Sequence, residues 1–261
     1  MIIDGKAIAA EVLARAKARA EKLPRKPKVL FYAPTQTPAT QSYLKIKTKS
    51  ADAAGCAFEE TKEPTFDGAD AAIVQLPLPE DMDVRETCNR IPLTKDADVL
   101  SDAARAAFMR GDERAPLPPV VGALAEVLAR SMVDARGKKA VVVGSGYLVG
   151  QPCAAWLAQE GARVTTVNQT KGDLTSALHD ADIVVLGAGS PHLVKPEMLK
   201  EGVVLFDAGT SESDGVTVGD ADPACAPMCS VFTPVPGGVG PIAVAKLFEN
   251  AISLTERNLS F

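Results

Sequence analysis

Apolar residues fall along this 261-residue chain in two alternating patterns: short solid runs, and longer stretches where they recur every third or fourth position. A solid run reads as a strand buried on both faces, and the longer period reads as a helix with one face inward. In the first half the periodic stretch 7–23 predicts a helix, with Asp4 placed to cap it and Pro24 to stop it. A strand follows at 29–32, a helix at 41–54 ended by Gly55, and a strand at 71–76 that runs into Pro77, Leu78 and Pro79. The second half is more regular. Strands are predicted at 139–143, 163–167, 183–186 and 203–206, with helices at 148–159 and 173–179, and an amphipathic helix at 241–257 closes the chain. Alternation of this kind implies α/β architecture with parallel strands covered by helices, and the second half carries the signature of a doubly wound sheet. Between the halves, 111–119 contains three prolines and suits a linker. No internal repeat interrupts this order.

Composition narrows the partners. Hydrophobic residues make up 46% and charged residues 23%, the range of a globular chain. A net charge of −5 argues against nucleic acid, whose phosphates need a basic face. Neither a long apolar span nor a leader-like start is present, so the expectation is a cytoplasmic protein with no membrane partner. The five cysteines are scattered, and the two histidines, His179 and His192, stand far from the close pair Cys225 and Cys229. No metal site is expected, and the thiols are read as free.

Two loops carry ligand-binding signals. Thr233-Pro-Val-Pro236-Gly237-Gly238-Val-Gly-Pro241 holds three prolines and three glycines in nine residues, a composition suited to placing main chain against a ligand. The second is Gly144-Ser145-Gly146-Tyr147-Leu148-Val149-Gly150, between a predicted strand and a predicted helix. Its spacing is one residue longer than the usual dinucleotide fingerprint. The context is the one the motif requires: a tight turn, close backbone approach to a pyrophosphate, and a helix N-terminus favouring anions. About twenty residues on, where a carboxylate selects a free ribose 2′-hydroxyl, the chain reads Val167-Asn168-Gln169-Thr170-Lys171. Asn168 and Gln169 suit either a hydroxyl or a phosphate, while Lys171 suits a 2′-phosphate. NADP is slightly favoured, and NAD stays open.

In the first half, Tyr43 and Lys47 lie four apart on one predicted helix face. Taken alone they fit a solvated lysine beside a half-buried tyrosine, as neighbouring Lys45 and Lys49 do. Their company favours chemistry: Gln75 closes a strand, and Asp98 follows Lys95, Asp96 and Ala97. Ligands of α/β sheets bind at the carboxyl ends of strands.

With these motifs assembled, the chain resembles the bifunctional methylenetetrahydrofolate dehydrogenase/cyclohydrolase family. The resemblance rests on Asp4-Gly5-Lys6, Ser42-Tyr43 with Lys47, 74–79, 95–98, 144–152 and the whole 233–241 loop, in order. It implies an N-terminal three-layer α/β domain at 1–117 completed by 241–261, a Rossmann domain at 118–240, a cleft between them, and a homodimer. It implies oxidation of methylenetetrahydrofolate with NAD(P) and hydrolysis of the methenyl product to formyltetrahydrofolate. Lys47 would be the central catalytic residue, oriented by Gln75. Tyr43 would stack on the p-aminobenzoyl group and Asp98 would bind the pterin. Pro236, Gly237 and Gly238 would line the folate site. The cofactor set would be Gly144, Ser145, Gly146, Leu148, Val149, Gly150, Asn168, Gln169, Lys171, Gly187 and Thr233.

Departures accompany the matches. Gly144-Ser145-Gly146 replaces the family's Gly-Arg-Ser, Asn168-Gln169 a His-Ser pair, 117–120 a Pro-Cys-Thr-Pro pattern, and Val99 the glycine usual after Asp98. Two other readings compete: another Rossmann dehydrogenase acting on a small acid, for which His192 is the available general acid, and a catalytically silent nucleotide-binding protein.

Overall fold

A computed structural model describes residues 1–168, 174–213 and 216–259, with backbone alone at 39 and 213. The chain divides into two compact units. One comprises Ala9–Pro119 and the residues from Val244 onward, and the other Met1–Ile8 and Val120–Ala243. Helix α1 (Gly5–Ala20) therefore contributes to both, as does the last helix.

The first unit is built on β1 (Lys28–Tyr32), β2 (Ala57–Thr61) and β3 (Ala71–Val74), all parallel in the order β2-β1-β3. Helix α2 (Pro38–Ala54) connects β1 to β2. Thr37 caps its start by accepting from Thr40 N, and Gly55 ends it in the left-handed conformation, φ 78°. Two short helices follow, α3 (Val84–Cys88) and α4 (Asp102–Met109), capped by Asp83 and Ser101. β3 is buried throughout, as its solid apolar run demands. β2 was not foreseen: its Glu59 and Glu60 are exposed on the sheet edge, and pairing with β1 rather than its own pattern makes it a strand.

In the second unit, α5 (Pro119–Arg130) leads into β4 (Lys139–Val143), α6 (Gly150–Gln159), β5 (Arg163–Val167), α7 (Leu174–His179), β6 (Ile183–Leu186) and β7 (Val203–Asp207). A small antiparallel pair, β8 (Ser211–Ser213) and β9 (Val216–Val218), precedes β10 (Cys229–Phe232) and α8 (Val239–Leu259). The main sheet is parallel in the order β10-β7-β6-β4-β5, reversing direction of travel at β4 as a doubly wound sheet does. β4 and β6 are fully apolar at the centre, with Val142, Val143, Val184 and Leu186 excluded from solvent.

The first eight residues depart from the expected boundary at 1–117. Ile3 N donates to Phe232 O at 2.9 Å and Phe232 N to Met1 O at 2.9 Å, so the N-terminal segment extends the β10 edge of the second unit. Asp4 caps α1 as predicted, accepting from Lys6 N and Ala7 N. Gly5 then lies against the Pro/Gly loop, its N–H donating to Gly237 O at 3.0 Å. A Cβ on Gly5 would fall 1.8 Å from Gly238 O, so glycine is required there. Helix α8 begins at Val239, earlier than the predicted 241, because Gly238 N already closes a turn onto Pro234 O.

Candidate active site and dinucleotide turn

On the first unit, β3 and α2 bring two predicted residues together. Gln75 follows β3, and its N–H donates to Tyr32 O at 2.8 Å, which holds the residue at the sheet end. The Gln75 side chain is pinned through Nε2, which donates to Leu76 O at 2.6 Å. Its Oε1 is thereby left to accept from Lys47 Nζ at 2.8 Å. Burial drives the Lys47 ammonium below the usual lysine range, opposed by the negative charge of Asp98. Burial likewise raises the Asp98 carboxyl, opposed by Lys47 and reinforced by Asp96. Lysine, glutamine and aspartate thus form one electrostatic group. Tyr43, one helical turn before Lys47, keeps 48% of its surface exposed.

Asp98 is placed by a loop that is itself tightly fastened. Asp96 bridges to Ala72 of β3 and, fully buried, accepts from Leu100 N at 3.2 Å and Ser101 N at 2.7 Å. Val99 between them has φ 58° and is buried, so the backbone makes a left-handed turn at a non-glycine residue, the position where the resemblance leads one to expect glycine.

On the second unit, Gly144 has φ 101°, and a Cβ there would meet Gly187 O at 2.4 Å. A side chain would fill this turn, so the cradle fits close backbone approach to a pyrophosphate. Gly144 N donates to Val167 O at 2.8 Å and Gly187 N to Val143 O at 2.9 Å, which tie the turn to the ends of β5 and β4. Ser145, Gly146 and Leu148 are exposed, and Val149 is half-buried against Gly187. Gln151 in the first turn of α6 donates through Nε2 to Ser145 O at 3.1 Å. The helix starts at Gly150, not at 148, so Leu148 and Val149 stay in the loop. Asn168 is exposed after β5, while Gln169 and Lys171 lie outside the described residues.

Thr233 is buried, and its Oγ1 accepts from Asp207 N at 2.7 Å. Pro236 is exposed and Gly237 half-buried, and Val235–Pro236 is a cis peptide, as is Leu76–Pro77. His192 has φ 52° and donates its backbone N–H to Gly219 O at 3.0 Å, a structural turn. All five cysteines are free and buried, and burial pushes the Cys153 thiol up to about 12, far from a reactive thiolate. Two buried carboxylates, Asp207 and Asp220, were missed by the sequence reading.

Fold and site together define an α/β protein with a dinucleotide-type sheet on one unit and a part-buried lysine–glutamine–aspartate group on the other. The family described as tetrahydrofolate dehydrogenase/cyclohydrolase, NAD(P)-binding domain, matches residues 118–259. The bifunctional protein FolD of Thermotoga petrophila is 34% identical over 271 residues, spanning 98% of this chain and 99% of its own. Among solved structures, the FolD methylenetetrahydrofolate dehydrogenase/cyclohydrolase of Campylobacter jejuni superposes with a TM-score of 0.93 at 28% identity, covering 99% of each chain. The Trypanosoma brucei enzyme, complexed with NADP cofactor and inhibitor, gives 0.91 at 29% identity over 100% of this chain and 99% of its own. The chain belongs to the tetrahydrofolate dehydrogenase/cyclohydrolase family.

Proposed function

We propose that this protein is a bifunctional enzyme of one-carbon metabolism, oxidising methylenetetrahydrofolate with NAD(P) and hydrolysing the methenyl product to formyltetrahydrofolate. The observation that carries the assignment of chemistry to residues is the 2.8 Å bond from Lys47 Nζ to Gln75 Oε1 in a site where burial lowers the lysine. A depressed lysine is neutral more often near pH 7 and can take a proton from the water that attacks the methenyl carbon. Gln75 fixes the direction of the amine. Asp98, coupled to Lys47 by charge, binds the pterin edge, and Tyr43 stacks on the p-aminobenzoyl ring. Pro236, Gly237 and Gly238 offer backbone to the folate.

Gly144, Ser145, Gly146, Leu148, Val149, Gly150, Gly187 and Thr233 would hold NAD(P), which when bound supplies the hydride acceptor for the oxidation. The protein's part in that step is alignment, because the reaction generates a cation and needs no base. With serine at 145 in place of arginine, the 2′-phosphate has no bidentate partner on this turn, and Lys171 would serve it as a point charge. A modest preference for NADP follows. We further expect a homodimer in the cytoplasm. Among the described residues no helix is long and apolar enough to cross a membrane.

Steady-state oxidation of methylenetetrahydrofolate by the purified protein, with NADP and NAD compared side by side, is the test. Turnover with both, better with NADP, is expected, and Ser145→Arg should widen the difference. No oxidation with either would sink the reading, and a tenfold advantage for NAD would remove Lys171 from cofactor selection.

A further inference from the structure

Two carboxylates in the sheet unit take no part in this chemistry, yet both are buried: Asp207 keeps 1% of its surface and Asp220 none. Taking an anion out of water costs several kcal/mol unless donors replace the lost hydration, so each must be held by aimed N–H groups. Asp220 Oδ2 accepts from Ala188 N at 2.6 Å and Gly189 N at 3.1 Å, and Oδ1 from Ser190 N at 2.7 Å. Asp207 accepts from Gly209 N at 2.9 Å, Asp220 N at 3.3 Å and Ala221 N at 2.8 Å. Its own backbone N–H goes to Thr233.

These bonds join the Asp220–Ala221 stretch after β9 to the segments that follow β6, β7 and β10, which lie at the carboxyl ends of neighbouring strands, where ligands of such sheets bind. The segment that Asp220 grips begins beside Gly187, whose carbonyl forms the wall against Gly144 of the dinucleotide turn. Three successive N–H groups would otherwise form an anion nest of their own. Asp220 fills it from within, so the loop is set before any ligand arrives.

We propose that Asp220 is a positioning residue for the dinucleotide, locking residues 187–190 so that the wall of the glycine turn is preformed, with Asp207 holding Asp220 in turn. This rests on the reading that the 144–150 turn and Gly187 bind NAD(P). Preorganised contacts raise affinity by sparing the ligand the cost of ordering the loop.

Two variants test it. Asp220→Asn keeps the shape but turns an amide NH2 toward backbone N–H groups. Gly209→Ala leaves the charge and places a methyl 2.2 Å from the Asp220 carboxyl carbon, which must move. Each should raise the dinucleotide KM and its calorimetric Kd roughly tenfold, with kcat at saturating cofactor changed less than about twofold. Hydrolysis of methenyltetrahydrofolate, which uses no dinucleotide, should stay at the level of the unmodified protein and so reports folding. Unchanged cofactor KM in both variants would overturn the proposal, and so would a parallel loss of both activities, which marks a purely structural role. An unmodified protein that hydrolyses the methenyl compound but oxidises nothing with NAD(P) would overturn the functional reading and this proposal with it.

Discussion

Lys47 sits between opposed influences: burial favours the neutral amine, Asp98 favours the ammonium, and Gln75 accepts a hydrogen bond from either form. Methionine at that position keeps much of the length and loses the proton chemistry. Lys47→Met should abolish hydrolysis of methenyltetrahydrofolate, a loss of 10²-fold or more on the order of a general base's contribution, with dinucleotide Kd unchanged. Undiminished hydrolysis by that variant would take Lys47 out of the mechanism. Asp207 gives a pH signature of unusual sign. Burial raises its carboxyl to about 6, against an unfolded value near 3.8. The folded state therefore holds the proton more tightly, and stability from this group is present below pH 4 and lost as pH rises through 6. Asn at 207 has no such dependence. Between pH 4 and 7 the difference in unfolding free energy between Asp207→Asn and the unmodified protein should move in the variant's favour by up to about 3 kcal/mol. Denaturant titrations at the two pH values measure it, and a constant difference would refute the assigned shift.

At the scale of elements, α8 is the piece that the order of the sequence does least to explain and the packing does most. Its Phe248 is fully buried and meets Phe58 of β2 edge-on, with ring centroids 5.6 Å apart. Asn250, two residues on, donates to both Ala97 O and Leu117 O, so α8 also fastens the stretch around Asp98. Phe248→Ala should lower unfolding stability by about 3 to 5 kcal/mol. A loss below 1 kcal/mol by chemical denaturation would mean that α8 is not part of this core. Elements with strong internal patterns were legible in advance: β4 and β6 fall on the predicted residues because solid valine-rich runs admit few other readings, and β5, Arg-Val-Thr-Thr-Val, does so through its β-branched residues. β2 was not, since its glutamates hide an edge strand that its neighbour dictates. The Lys47–Gln75 pair was legible through helix spacing and a strand end. Asp207 and Asp220 were not, because thirteen residues separate them and no local pattern distinguishes a buried carboxylate from a solvated one.

Across the whole molecule, each unit is assembled from two distant stretches, with the Gly144 turn on one and the Lys47, Gln75 and Asp98 group on the other. The resemblance of motifs did not show that residues 1–8 belong to the sheet unit. That pairing between the chain's beginning and Phe232 has a consequence for how the protein comes into being. A ribosome delivers Met1–Ile3 long before Phe232, and the first unit waits still longer for residues from Val244 onward. Neither unit can finish as a nascent domain, so the usual order of N-terminal folding first is closed to this chain. Met1–Ile3 and the bed of α8 stay uncovered until Phe232 and the residues from Val244 onward have been made, leaving on the growing polypeptide apolar surface that its finished form conceals.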